Sequence, residues 1–280
     1  MSGVIIGLHD WFQTPPGRYL LAWEQAQLDA TVADIFGYHA LQLGLTELDA
    51  LRTNRMPHRW MANSWKFERS HLPTSAASNL NERCALVTDF AALPFPANSL
   101  DLIVLPHTLE FHGEPHAALR EVERVLVPEG RVVVIGFNPA SLWGLRQRRA
   151  HIYRSMGVGE LFMPSDGDFI GYRRMRDWLR LLSFEVEVGR FGCYRSAVRS
   201  EKWLNRLSWM DSAGARWWPI FGAVYFLVAV KRVRGMRLVA PAWKSATSRA
   251  GAPVTATGTL FESESNNTTE KRKKSIECRH

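Results

Sequence analysis

Two short runs, residues 100–105 and 131–137, are apolar almost without a break, and a helix-patterned segment separates them. Strands apolar on both faces belong inside a parallel sheet covered on two sides, because a sheet with one wet face alternates instead. Between the runs, residues 115–127 repeat Leu119, Val122 and Leu126 at helical spacing, with Arg120, Glu121, Glu123 and Arg124 on the opposite side. Pro115 suits a first helical turn, where its missing N–H has no partner to lose, and Pro128 with Gly130 stops the helix. Strand, helix and strand in this order predict an α/β fold. The expected architecture is a Rossmann-like, mainly parallel twisted sheet with helices on both faces.

The flanking sequence extends the pattern. Residues 18–36 lack Pro and, before Gly37, Gly; Leu21, Leu28, Val32 and Ile35 recur there with Glu24, Gln25, Gln27 and Asp29 between them. That predicts an amphipathic helix ended by Gly37, preceded by a turn-rich lead-in at residues 11–17. Strands are expected at 38–45, 59–62 and 85–88, a helix at 172–182, and two last strands at 184–188 and 223–230. On this reading residues 1–36 lead into a domain at 37–240 with cap segments at about 140–171 and 189–220. Residues 241–280, rich in Ser, Thr and charge, read as a disordered basic tail, with seven Lys or Arg against four Glu.

Composition narrows the function classes. The 280 residues are 46% hydrophobic, enough for one well-buried domain. The formal charge of +8 is spread along the chain, which permits attraction to nucleic acid or anionic lipid without requiring it. Cys84, Cys193 and Cys278 stand far apart with no CxxC pair, which argues against a disulfide framework or zinc knuckle and for a reducing compartment. The first residues lack the basic region and apolar core of an export signal. The longest apolar run, residues 219–230, is broken by Gly222 and is too short to span a bilayer as a helix. A cytoplasmic protein is expected.

An ordered set of motifs then appears between Val87 and Pro139. Thr88-Asp89-Phe90-Ala91 is followed by Leu93-Pro94-Phe95 and by Ser99-Leu100-Asp101-Leu102-Ile103-Val104. His107-Thr108-Leu109-Glu110 comes next, then Leu119-Arg120-Glu121-Val122 and Arg124-Val125-Leu126-Val127-Pro128-Glu129-Gly130. In this order and spacing the segment resembles the class I S-adenosylmethionine (SAM) dependent methyltransferases, in particular the type 11, ubiquinone/menaquinone methyltransferase-like group. The resemblance implies SAM as cofactor. It implies that Asp89 accepts from the adenine amino group, with the Phe90 amide near the ring. His107, at the end of the fourth strand, is the best-placed residue to contact cofactor or substrate and the one candidate for a catalytic role. A histidine bonded to nearby backbone is the alternative reading. Asp101 lies at the wrong end of its strand and reads as structural.

The resemblance is weakest at the first strand. Leu41-Gln42-Leu43-Gly44-Leu45-Thr46-Glu47-Leu48 stands where the family has its glycine-rich loop. Gly44 matches the first glycine, whereas Thr46 and Leu48 replace later ones and Gln42 replaces the acidic residue that faces the methionine amino group. Gln42 and Gly44 are therefore carried as cofactor-binding candidates, and Asn63 or Glu68 as the ribose contact. His112 and His116, four apart, lack a third metal ligand in view, and no metal site is expected.

Two functions follow. One is a methyltransferase acting on a small or lipid-like molecule; the other is a non-catalytic protein of the same fold that serves as a binding or scaffold module. The basic segment 141–154 and the stretch from Trp203 to Trp218 combine aromatic and cationic residues. They suit a substrate lid, a helical cap packed on the sheet, peripheral membrane contact or, more weakly, nucleic acid.

Overall fold

The apolar runs form the middle of a seven-stranded sheet. The computed structural model describes residues 7–64, 85–155, 161–164 and 167–233; the expected tail at 241–280 and Glu68 lie outside them. The strands are β1 (His39–Leu43), β2 (His58–Asn63), β3 (Leu86–Val87), β4 (Leu100–Pro106), β5 (Leu126–Phe137), β6 (Phe184–Gly192) and β7 (Val224–Lys231). Their order is β3-β2-β1-β4-β5-β7-β6. All neighbours pair in parallel except β7, which runs antiparallel to both β5 and β6. The expected α/β fold is the one observed. The order reverses between β1 and β4, and in such sheets ligands bind beyond the carboxyl ends of the strands at that reversal.

Alternation along the strands divides the core in two. Ala40, Leu102, Val104, Val133, Ile135 and Phe226 face one side. There they meet helix α1 (Leu8–Phe12), helix α2 (Pro15–Val32) and, through Trp143, helix α4 (Leu142–Ser155). Leu41, Leu43, Ile103, Leu105, Val134 and Leu227 face the other, under helix α3 (Pro115–Val125) and helix α5 (Tyr172–Leu181). Two short helices, α6 (Glu201–Arg206) and α7 (Trp209–Trp217), and a 3-10 turn at Pro219–Phe221 fill the chain between β6 and β7.

Three local outcomes differ from expectation. Pro15-Pro16-Gly17 is the first turn of α2, with Thr14 as its cap accepting from the Gly17 amide. Proline at the first helical position is preorganised for the helix, so the apparent turn signal is a start signal. The core stripe of α2 is Leu20, Glu24, Leu28 and Val32, one residue every four, with a carboxylate in the middle. Finally, β5 begins at Leu126 and runs through Pro128-Glu129-Gly130, with a register shift against β4 and Glu129 in the left-handed region at φ 64°.

Asp101 confirms its structural reading. Its Oδ2 accepts from the amides of Tyr38 at 2.8 Å and His39 at 2.9 Å, which fixes the entry into β1 beside β4. Asp101→Ala should cost about 1–2 kcal/mol, the worth of charge-assisted backbone bonds at a partly exposed site. Urea denaturation checks this, and ligand affinity of the folded variant should be unchanged.

Candidate active site at the carboxyl edge of the sheet

The carboxyl ends of β1, β3 and β4 meet around Gly44. This glycine follows β1 with φ 76°, a conformation that a side chain resists. A Cβ there would lie 3.2 Å from the Thr108 hydroxyl and 3.8 Å from the Phe90 ring. Thr108 is buried and donates its hydroxyl proton to the Leu43 carbonyl, so the loop after β4 is laced to the end of β1. Sequence reasoning did not single out Thr108; only the β1–β4 pairing brings it to Gly44.

Asp89 follows β3 on the same edge. Its Oδ1 accepts from the Ala91 amide at 3.0 Å, closing a turn, and from the His112 Nε2–H at 3.3 Å. His112 Nδ1 accepts from the Glu114 amide at 3.2 Å, which fixes that tautomer. The Asp89 side chain is nonetheless 40% exposed, and Phe90 is buried beside it with its ring 5.7 Å from that of His112. The turn-forming role and an exposed acceptor coexist in one carboxylate. His116 goes elsewhere and packs 3.8 Å from the Trp178 ring, so the two histidines do not converge. Among the described residues no group of three or more His, Cys, Asp or Glu is placed to hold a metal. Asn63, the described ribose candidate, turns its Oδ1 back to the adjacent Ser64 amide at 2.8 Å.

Gln42 requires a correction. It was expected to face a cofactor, but it is fully buried under the chain that follows β1. Its Nε2 donates to the carbonyls of Leu45 at 2.9 Å and Leu48 at 2.7 Å and lies 3.3 Å from that of Gly44, while its Oε1 accepts from the Ala50 amide at 2.9 Å. Both ends of the amide are spent on holding residues 44–50. Those residues need the help, because the 14 that join β1 to β2 contain no helix. Leu45, Leu48, Ala50 and Leu51 fold directly onto the sheet in its place. Thr46 and Leu48 therefore belong to a different loop design from a glycine-rich turn into a helix.

His107 is also placed differently from expectation. It follows β4 with φ 52° and is 1% exposed, so it does not share the solvent access of the Asp89 side chain. Its Nε2 meets Glu24 Oε1 of α2 at 2.8 Å, and its Nδ1 meets Glu110 Oε2 at 3.0 Å. Glu110 Oε1 accepts from the Phe137 amide at 2.7 Å. The Phe137 ring covers the imidazole at 4.2 Å, with Phe12 on another side at 6.0 Å. Burial works against a charged imidazolium, but the Glu24 carboxylate and the bonds to both acids outweigh it and raise the His107 pKa. Burial raises the Glu110 pKa, against the opposing pull of His107. Glu24 Oε2 and the Tyr225 hydroxyl, which burial and Glu110 hold protonated, have no hydrogen-bond partner among the described residues.

Comparisons with known proteins bear on the fold that carries this edge. Residues 53–134 match the family model of a methyltransferase domain, a span that begins after the altered β1 loop. YafS, an uncharacterised Escherichia coli protein, is 29% identical over 223 residues, covering 79% of this chain and 80% of its own. The ubiquinone/menaquinone biosynthesis C-methyltransferase UbiE of Cupriavidus taiwanensis is 28% identical over 102 residues, 36% of this chain and 41% of that protein. In fold, the chain is similar to a SAM-dependent methyltransferase of Thermotoga maritima, described as a possible histamine N-methyltransferase. The TM-score is 0.55 at 17% identity, with 80% of this chain and 94% of that one covered.

The buried trio makes a pH prediction. A His107 pKa raised above the ordinary value of about 6.5 gives stability that is complete below that value and is lost as pH rises through the folded one. Glu110, also raised, loses its contribution from about pH 4.3 upward. The two slopes have the same sign. Urea midpoints of the wild type should fall between about pH 6 and pH 9, and His107→Gln should start lower and keep a falling slope from Glu110, whose pKa rises further once His107 no longer opposes burial. The matched span and the sheet order give the chain a methyltransferase-type fold, and over residues 53–134 its sequence is similar to the methyltransferase domain family.

Proposed function

We propose that the chain transfers a methyl group from SAM, held along the carboxyl ends of β1, β3 and β4, to a small or lipid-like acceptor. The observation that carries this is the exposed Asp89 carboxylate beside the buried Phe90 ring, on the same edge as Gly44. An outward carboxylate accepts from an amino edge such as that of adenine, and the Phe90 amide follows it in the chain. Gly44, in a left-handed conformation that glycine favours, packs between Thr108 and Phe90 on the same edge. SAM supplies a methyl group on a sulfonium, and the chain's task is to hold donor and acceptor in line.

Within this reading, the Asp89 carboxylate and the Phe90 amide hold the base, and Gly44 with Thr108 borders the opposite end. His112 orients Asp89 through its Nε2–H. Gln42 acts one step removed, by fixing the loop from which Gly44 hangs. His107 is assigned no proton transfer, since Phe12, Glu24 and Phe137 enclose it. The acceptor class rests on relatives: the matched UbiE enzyme is named for ubiquinone and menaquinone biosynthesis. A second matched protein, covered over only 23% of its length, is named a malonyl-[acyl-carrier protein] O-methyltransferase of Halorhodospira halophila.

The second reading, a non-catalytic binding module, is favoured by one observation: the chain after β1 lacks the helix that a glycine-rich turn would enter. Calorimetric titration with SAM and S-adenosylhomocysteine separates the two. Saturable binding is expected, weakened about tenfold or more in Asp89→Ala with the fold retained. Folded wild-type protein that binds neither ligand would establish the scaffold reading.

A further inference from the structure

Helix α4 is apolar on two sides. Its inner face places Trp143 and Gln147 in the core, with the Trp143 Nε1–H donating to the Arg195 carbonyl at 2.7 Å and Gln147 bonded to residues 162 and 163. Its outer face should then be polar, as on any helix between core and water. Instead Leu142, Leu145 and Ile152 stand out, Leu145 with 54% of its surface exposed. Arg146, Arg148 and Arg149 are exposed among them. Leu142, Leu145, Arg146, Arg149 and Tyr153, with Ser196 and Ala197, line an open groove of ≈ 510 Å³.

The stretch before β7 continues this surface. The Asn138 amide donates to the carbonyls of Ile220 at 2.7 Å and Gly222 at 2.9 Å, while Ser141, next to α4, donates back to Asn138. The 3-10 turn is thereby tied to the start of α4. On it Ile220 is 57% exposed, Phe221 is exposed too, and Trp217 and Trp218 precede them, also exposed. Because β7 runs antiparallel to β5, both pieces lie at the carboxyl end of β5.

We propose that this basic, apolar rim docks on the surface of an anionic lipid bilayer. Protruding leucine and isoleucine gain by entering an acyl boundary, indole rings settle at the headgroup level, and guanidinium groups meet lipid phosphates. A nucleic-acid groove has no use for protruding aliphatic side chains. A second copy of the chain would set arginine against arginine, and no acidic side chain lines the groove. No helix among the described residues is long and apolar enough to cross a membrane, so contact is with the surface. The proposal stands independently of SAM binding.

Flotation of the full chain with vesicles tests it. Vesicles of phosphatidylcholine with phosphatidylglycerol should carry the protein, and phosphatidylcholine alone should carry far less. Arg149→Glu should weaken partition at least about fivefold. The double variant Leu145→Glu with Ile220→Glu should abolish flotation while its urea midpoint and S-adenosylhomocysteine binding match the wild type. Wild-type protein left unbound by phosphatidylglycerol vesicles would overturn the proposal. So would a double variant that floats as well as the wild type, which would move the lipid contact to the basic tail. Loss of DNA binding or of self-association in the double variant, with flotation intact, would overturn it in favour of those partners.

Discussion

The Glu24–His107–Glu110 arrangement is the interaction on which the candidate site's surroundings depend. It joins α2 to the loop after β4, and through the Phe137 amide to the end of β5, all without contact with water. Breaking such a buried pair by removing one partner leaves an uncompensated charge, a loss of about 3–5 kcal/mol. Two acids around one base cannot all be charged at ease in a dry site, which is why burial holds the Glu110 pKa upward. The trio therefore fixes where the amino-terminal helices lie, across the sheet face next to the reversal in strand order.

That placement explains the unusual chain after β1. In the absence of a helix there, α2 and residues 44–51 share the covering of the β1 face. The Gln25 amide donates to the Asp49 carbonyl at 2.9 Å, and the Asn54 amide donates to the Val32 and Ile35 carbonyls at 2.7 Å and 3.1 Å. Gln42 supplies the remaining partners from below. Side-chain amides thus satisfy backbone groups that helical hydrogen bonds would otherwise have taken. A polar clamp stands where the sequence suggested a glycine-rich turn.

The carboxyl edge of the sheet carries two chemistries side by side. At Asp89 it presents a partly exposed carboxylate that closes a turn. Toward β5 and β7 it broadens into exposed Leu, Ile and Trp with arginine between them. The proposed anionic lipid surface would find there apolar burial beside fixed positive charge.

The sheet was legible from residues 100–105 and 131–137, because strands buried on both faces admit few substitutions and leave an apolar run. The helix at 115 was legible from its first-turn proline and its spacing. Asp101 was readable as structural because it begins its strand. The fates of Gln42, Glu24 and His107 were not legible. Each is a polar residue whose role depends on partners brought to it by tertiary packing: Glu24 is 83 positions from His107, and Thr108 is 65 from Leu43. Local sequence determines periodicity, caps and turns, since these depend on neighbours a few residues away. Only the folded sheet decides whether a buried amide or carboxylate faces a ligand or a carbonyl, since it alone determines what lies opposite and whether water can reach it.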